Sequence, residues 1–159
     1  MKLKDIDTSR SGKRVLEAFN INKSFGDLEL LNDAHIDLIY QDRLAILGNN
    51  GSGKTTLVRM LLEDSHVEES MYKWGSKLNV GYLAQEIQFE DDSISVIDYF
   101  MNEHSVYQGV ARRELAKALF IRDDVLKKIS VLSGGEKSKL KLCSLTYNKT
   151  NLLILDEPT

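Results

Sequence analysis

A glycine-rich segment between two apolar stretches constrains this chain more than any other feature. It reads GNNGSGKTT over residues 48–56 and satisfies the pattern G-x-x-x-x-G-K-[ST]. The apolar run RLAIL precedes it at residues 43–47, and apolar residues at helical spacing follow it over residues 54–63. The sequence therefore predicts a buried strand, a tight turn and a helix in direct succession, which is typical of a parallel sheet in an α/β fold.

The residue types in this segment are those that a loop needs to hold phosphate groups. Gly48, Gly51 and Gly53 permit backbone angles and close approaches that a Cβ atom would block. The exposed backbone N–H groups then form a concave anion site, and the helix that starts near Lys54 adds its positive end. Lys54 supplies a charge to the β- and γ-phosphates, and Thr55 offers a hydroxyl to Mg²⁺. A simple glycine-rich connector is the alternative interpretation.

A second apolar run ends in two acidic residues. The sequence LLILDE at residues 152–157 predicts a buried strand with Asp156 and Glu157 at its carboxyl end. Ligands of open α/β sheets bind at that edge. Asp156 would hold Mg²⁺ directly or through water, and Glu157 would polarise an attacking water. The pattern is weak by itself, but together with the phosphate-binding segment it predicts a nucleotide site.

A third segment, LSGGE at residues 132–136, opens a predicted helix. Ser133 can cap the helix, and Gly134 and Gly135 leave its backbone bare, so that the helix start favours an anion. On physical grounds alone, a capped helix start without any ligand explains the segment equally well.

These three motifs together resemble the nucleotide-binding domain of an ABC ATPase. The LSGGE motif is the one that distinguishes ABC domains from other P-loop NTPases. The resemblance implies an α/β fold: a P-loop NTPase core with an N-terminal antiparallel β-subdomain and a small helical insertion. Residues 1–14 are expected to be a linker remnant or flexible tail, and residues 15–159 an incomplete domain. Within it, residues 85–148 would form the Q-loop, the helical insertion and the signature helix. The domain is expected to be incomplete because family members continue beyond this point into the D-loop and the switch histidine.

The resemblance also implies the catalytic and metal-binding residues. ATP and Mg²⁺ are the expected substrate and cofactor. Glu157, Lys54 and Gln85 would take part in catalysis, and Thr55, Gln85 and Asp156 would hold the metal. Gln85 would also link the core to the helical insertion.

Further contacts to the nucleotide follow from the same resemblance. Phe25 stands where ABC domains place an aromatic residue that stacks on adenine, although a core aromatic at a strand end is the alternative. Ser133, Gly134 and Gly135 would clasp the γ-phosphate of ATP held by a second domain, head to tail. The expected nucleotide-binding residues are Phe25, Gly48, Asn49, Asn50, Gly51, Ser52, Gly53, Lys54, Thr55, Thr56, Ser133, Gly134 and Gly135.

Less specific features of the sequence indicate the branch of the family. The stretch from Gln85 to Ser133 is compact, the signature continues into Lys137, and residues 10–16 resemble the entry to a second ATPase domain. These features resemble the ABC-F subfamily, whose members act on the ribosome in translation or in antibiotic resistance. The expected partners are a second ABC domain, in the same full-length chain or in a homodimer, and the ribosome with its RNA. The alternatives are the ATP-binding subunit of an ABC transporter and a nucleotide-binding module without turnover.

Composition narrows the remaining possibilities. The formal net charge of −3 offers no overall attraction to nucleic acid or membrane. The longest apolar run, at residues 152–155, is far shorter than a membrane span, and the N-terminus has no apolar core of a signal peptide. We therefore expect a cytoplasmic protein without direct membrane insertion. Cys143 cannot form an internal disulfide, and a buried helix face is predicted for it rather than a reactive thiol.

Hydrophobic periodicity predicts the remaining elements. Alternating or continuous apolar patterns predict strands over residues 15–21, 34–40, 71–74, 78–83 and 151–156, and helical spacing predicts helices over residues 93–102, 110–120 and 136–147.

Overall fold

The computed structural model describes residues 13–25, 27–63 and 72–156. The described residues form two compact units, one made of those up to Asn79 and one made of those from Val80 onward. Most of the predicted tail at residues 1–14 lies outside the described residues, and the first strand begins at Arg14. In chain order the strands and helices are β1 (Arg14–Phe25), β2 (Leu28–Ile39), α1 (Lys54–Glu63), β3 (Tyr72–Trp74), β4 (Val80–Leu83), α2 (Val96–His104), α3 (Gln108–Lys117), α4 (Gly134–Tyr147) and β5 (Leu152–Leu155).

The first unit is built on an antiparallel sheet with the strand order β2-β1-β3. Leu16 of β1 pairs with Leu38 on one side and with Trp74 on the other, and several register shifts interrupt the long β1–β2 ladder. One helix, α1, covers this sheet, with Leu57 and Leu61 in the same apolar cluster as Leu16. The antiparallel β-subdomain expected from the sequence is confirmed.

The prediction of a strand over residues 43–47 is wrong. This segment has no regular secondary structure, and Leu44 and Leu47 are 54% and 90% exposed. An apolar run takes up strand geometry when neighbouring strands satisfy its backbone hydrogen bonds. Within residues 13–25, 27–63 and 72–156, no strand pairs with this run. The chain enters it through a turn in which Gln41 has a positive φ of 74°.

The second unit combines a parallel pair of strands with three α-helices. β4 pairs with β5 from Val80↔Leu152 to Leu83↔Leu155. The helices α2, α3 and α4 enclose a core with Phe100, Leu115 and Leu140 fully buried. The helices and strands predicted here are confirmed with small changes in their ends. Two short 3₁₀ helices, Arg122–Leu126 and Ile129–Val131, were not predicted from the sequence.

Local capping fixes where α2 begins and ends. The Ser95 side chain accepts a hydrogen bond from the backbone N–H of Asp98, which places the helix start at Val96 rather than at the predicted residue 93. Ser105 then ends the helix in the left-handed conformation, with φ of 51°. No helix in the described parts of the chain is long and apolar enough to span a bilayer.

Candidate nucleotide-binding site

The glycine-rich segment forms a loop that leads directly into α1. Lys54 is the first residue of the helix, and its Nζ donates hydrogen bonds to the carbonyl oxygens of Gly48 and Asn49, both at 3.0 Å. The backbone N–H of Ser52 donates to the carbonyl of Asn49 at 3.1 Å, which closes a turn inside the loop. These two hydrogen bonds hold the Lys54 ammonium against the loop that precedes the helix.

Glycine is required at particular points of this loop. Gly51 and Gly53 have φ values of 81° and 91°, in the region that other residues rarely adopt. A Cβ atom on Gly48 would lie 2.4 Å from the Oγ of Ser52. The backbone angles therefore favour glycine at positions 51 and 53, whereas a Cβ at position 48 would require the Ser52 side chain to move.

The charge distribution of α1 also favours an anion at this loop. The first N–H groups of a helix lack intrahelical partners and carry partial positive charge. The first turn of α1 contains no acidic residue that would offset this charge, and it contains Lys54. Phosphate groups are therefore the class of ligand that fits the loop.

A second cluster of predicted residues lies at one edge of the β4–β5 sheet. Because these strands are parallel, Gln85 and Asp156, which follow them, lie at the same edge. The backbone N–H of Asp156 donates to the carbonyl of Leu83 at 3.0 Å and continues the pairing. Asp156 is buried, with 5% of its surface exposed, whereas Gln85 lies at the surface.

Tyr82 joins this cluster although no motif in the sequence marked it. Its hydroxyl donates a hydrogen bond to Oδ2 of Asp156 at 3.2 Å. Tyr82 lies directly opposite Ile154 in the ladder, one strand away from the carboxylate that it contacts. The register between two strands that are distant in sequence creates this contact, and the sequence alone gives no signal for it.

The segment LSGGE forms a capping box at the start of α4. Ser133 Oγ accepts from the backbone N–H of Glu136 at 3.3 Å, and the Glu136 carboxylate accepts from the Ser133 backbone N–H at 2.9 Å. The hydrogen bonds from the Ser133 backbone and hydroxyl hold the pKa of Glu136 below its usual value. Beyond the adjacent residues and the backbone of α4, no described atom lies within 4 Å of a Cβ built on Gly134 or Gly135. Packing therefore leaves the space in front of these glycines open.

Comparisons with known proteins show the family of this chain. A family model described as ABC transporter matches residues 31–159, which is most of the chain. The chain belongs to the ABC ATPase family. The solved structure of a metal-chelate type ABC transporter in an inward-facing conformation superimposes with a TM-score of 0.72 at 23% identity, covering 93% of this chain and 61% of that one. The fold of this ABC domain is confirmed by that likeness.

The relatives of this ABC domain include an ATP-binding protein and a ribosome protection protein. The ATP-binding protein Uup of Caulobacter vibrioides is 34% identical over 155 residues, which cover 94% of this chain and 26% of Uup. The ribosome protection protein VmlR of Bacillus subtilis is 35% identical over 155 residues, which cover 97% of this chain and 28% of VmlR. The chain thus spans little more than a quarter of the length of these relatives.

Two of the site residues expected for an ABC domain cannot be placed. Glu157 and the side chain of Phe25 lie outside the described parts of the structure. Among the others, Lys54 and Thr55 belong to the first unit, and Gln85 and Asp156 to the second. The oxygen donors of Thr55, Gln85 and Asp156 are of the class that Mg²⁺ prefers.

Proposed function

We propose that this chain binds ATP through the loop at residues 48–56, and that the full-length protein hydrolyses ATP with Mg²⁺ at a head-to-tail interface of two ABC domains. The loop geometry carries this proposal. Glycines with left-handed backbone angles, a bare helix start and the inward-held ammonium of Lys54 together make a site for a polyphosphate.

The residues of the loop would bind and orient the phosphates. The backbone N–H groups of the loop and the start of α1 would donate to the phosphate oxygens, and Lys54 would exchange its two carbonyl partners for them. Glu157, which follows Asp156 directly in the sequence, would orient and polarise the attacking water, and Gln85 would contact the same water. Phe25 would stack on the adenine ring.

Thr55, Gln85 and Asp156 would hold Mg²⁺ through a hydroxyl, an amide oxygen and a carboxylate. The metal, when bound, neutralises charge on the β- and γ-phosphates. These three residues would be the protein's ligands to the metal, and phosphate oxygens would supply others. The oxygen donors of this chain fit that chemistry.

The start of α4 would serve a second ABC domain. The capping box fixes Ser133 at the helix start, and the open space at Gly134 and Gly135 lets an anion approach the backbone. The γ-phosphate of ATP bound to a facing domain is the ligand that this segment would clasp. Closing the interface, hydrolysis and reopening would form a mechanical cycle.

An ABC-F protein that acts on the ribosome is the biological setting we favour, in translation regulation or in antibiotic resistance by ribosome protection. The similarity to Uup and to the ribosome protection protein VmlR supports this setting. The ATP-binding subunit of an ABC transporter is the second candidate, supported by the fold similarity to the metal-chelate type transporter. Such a subunit would be cytoplasmic and would act with a separate membrane protein.

ATP binding is tested by titrating the 159-residue chain with a fluorescent ATP analogue. Lys54→Ala should weaken binding more than tenfold, because a hydrogen bond from a charged group contributes about 1.5–3 kcal/mol. Arg59→Ala is the matched control, since it removes an exposed positive charge from the same helix. Equal affinity of the wild type and Lys54→Ala would contradict the proposal.

The biological setting is tested with the full-length protein. An ABC-F protein with Glu157→Gln should sediment with ribosomes in the presence of ATP, because slow hydrolysis prolongs the closed state. A transporter subunit should instead co-purify with an integral membrane protein and remain absent from the ribosome pellet.

A further inference from the structure

Two hydrogen bonds hold Asp156 at the end of β5, one made by its backbone and one by its carboxylate. Its residue is 5% exposed, and its backbone N–H donates to the Leu83 carbonyl at 3.0 Å. The Tyr82 hydroxyl donates to Oδ2 at 3.2 Å. The backbone bond holds Asp156 beside Leu83, and the tyrosine hydroxyl contacts one oxygen of its carboxylate.

Orientation matters for the metal that Asp156 would hold. Mg²⁺ demands near-ideal octahedral geometry, so a carboxylate that is already turned correctly loses less freedom on binding. Groups that hydrogen-bond to a metal ligand typically contribute about 10–100-fold to metal affinity. Tyr82 is such a group, and the β4–β5 ladder fixes the position of its backbone opposite Ile154.

We propose that Tyr82 is a positioning residue, whose hydroxyl orients the Asp156 carboxylate for the Mg²⁺ that accompanies ATP. The inference rests on the proposed function, since it needs a nucleotide and a metal at this edge of the sheet. Tyr82 touches neither the phosphates nor the water in this role; it acts through Asp156.

Tyr82→Phe removes the hydroxyl and keeps the ring. The measurement is the affinity of the chain for a fluorescent ATP analogue, first in EDTA and then at increasing Mg²⁺ concentrations. We expect Tyr82→Phe to need about tenfold more Mg²⁺ for the half-maximal gain in affinity. The affinity in EDTA should equal that of the wild type, because the loop at residues 48–56 is unchanged.

Tyr99→Phe is the matched control. The Tyr99 hydroxyl is buried on α2 and has no hydrogen-bond partner among the residues that the structure describes. Its removal should leave the Mg²⁺ requirement unchanged. In an Asp156→Asn background, Tyr82→Phe should add no further change, because the carboxylate that it orients is already gone.

The outcomes separate this inference from the proposed function. If Tyr82→Phe shows the wild-type Mg²⁺ requirement, the positioning role is overturned while ATP binding stands. If Tyr82→Phe lowers the affinity in EDTA as strongly as it lowers it with Mg²⁺, Tyr82 has a structural role only, and the inference fails. If the wild-type chain itself binds no nucleotide, the proposed function fails first and the inference fails with it.

Discussion

Replacing Ser133 with alanine removes the side-chain cap from α4, the helix that carries the LSGGE segment. In the wild type, Ser133 Oγ accepts the backbone N–H of Glu136, one of the N–H groups that lack a partner within the helix. With alanine at this position, the Glu136 N–H can donate only to water. The variant should therefore be less stable without any change in the buried core of the second unit.

The expected loss in the free energy of unfolding is that of a typical helix cap. Replacing a serine cap by alanine typically costs about 1 kcal/mol. With a urea dependence of about 2 kcal/mol per molar, the midpoint of unfolding should fall by about 0.5 M. Ser133→Thr keeps the hydroxyl and should lie within about 0.3 kcal/mol of the wild type.

The assay is urea unfolding followed by circular dichroism at 222 nm, which reports mainly on the helices. A midpoint for Ser133→Ala that equals the wild-type midpoint would refute the capping argument. It would also be refuted if Ser133→Thr were as unstable as Ser133→Ala, because the hydroxyl would then have no role.

The pH dependence of the same variant gives an independent check on Glu136. Hydrogen bonds from the Ser133 backbone and hydroxyl lower the pKa of Glu136 in the folded chain. A lowered carboxyl pKa stabilises the fold above the unfolded pKa, and this contribution is lost as the pH falls through the folded pKa. The difference between the wild type and Ser133→Ala should therefore shrink when unfolding is measured below the unfolded pKa of Glu136, and a constant difference would contradict this.

Three further predictions concern stability and reactivity elsewhere. Burial lowers the pKa of His104, so the wild type should lose stability as the pH falls below 6.5, and His104→Gln should weaken that pH dependence in urea unfolding. Burial raises the pKa of the Cys143 thiol from 9.0 to about 11, so iodoacetamide should alkylate the folded chain about 100-fold more slowly than the urea-unfolded chain at pH 8. A Cβ on Gly75 would lie 2.2 Å from the backbone oxygen of Arg14, so Gly75→Ala should lower the free energy of unfolding by about 2 kcal/mol. Gly109→Ala should show no such loss, because beyond the adjacent residues and the backbone of α3 no described atom lies within 4 Å of its Cβ, and circular dichroism at 222 nm during urea unfolding measures both variants.

Local patterns in the sequence predicted the parts of the fold that depend on local interactions. The helix at Lys54–Glu63 was predicted with its observed ends, because the glycine-rich loop before it and the apolar spacing within it both act over a few residues. The cap at Ser133 was predicted for the same reason. Cys143 lies on α4 and packs against the helical core, as its apolar neighbours indicated, but it is half-buried rather than buried.

Features that depend on distant partners were not predictable in the same way. The run at residues 43–47 has the composition of a buried strand, but composition cannot supply the neighbouring strands whose hydrogen bonds make one. The contact from Tyr82 to Asp156 needs the register of β4 on β5, which no short-range pattern encodes. The 3₁₀ helices are too short to show a period.

The parallel pairing of β4 with β5 has a consequence for the order of folding. Val80 meets Leu152, so the pair closes a loop of about seventy residues, whose closure entropy must be offset before the ladder forms. The helices α2, α3 and α4 lie within that loop. When they pack into their own core, the flexible length of the loop that must be closed becomes shorter. The helices should therefore gain protection from hydrogen exchange before the two strands do. Mutations that loosen Phe100 in the helical core would then slow the arrival of Gln85 and Asp156 at their shared edge, although Phe100 belongs to neither strand.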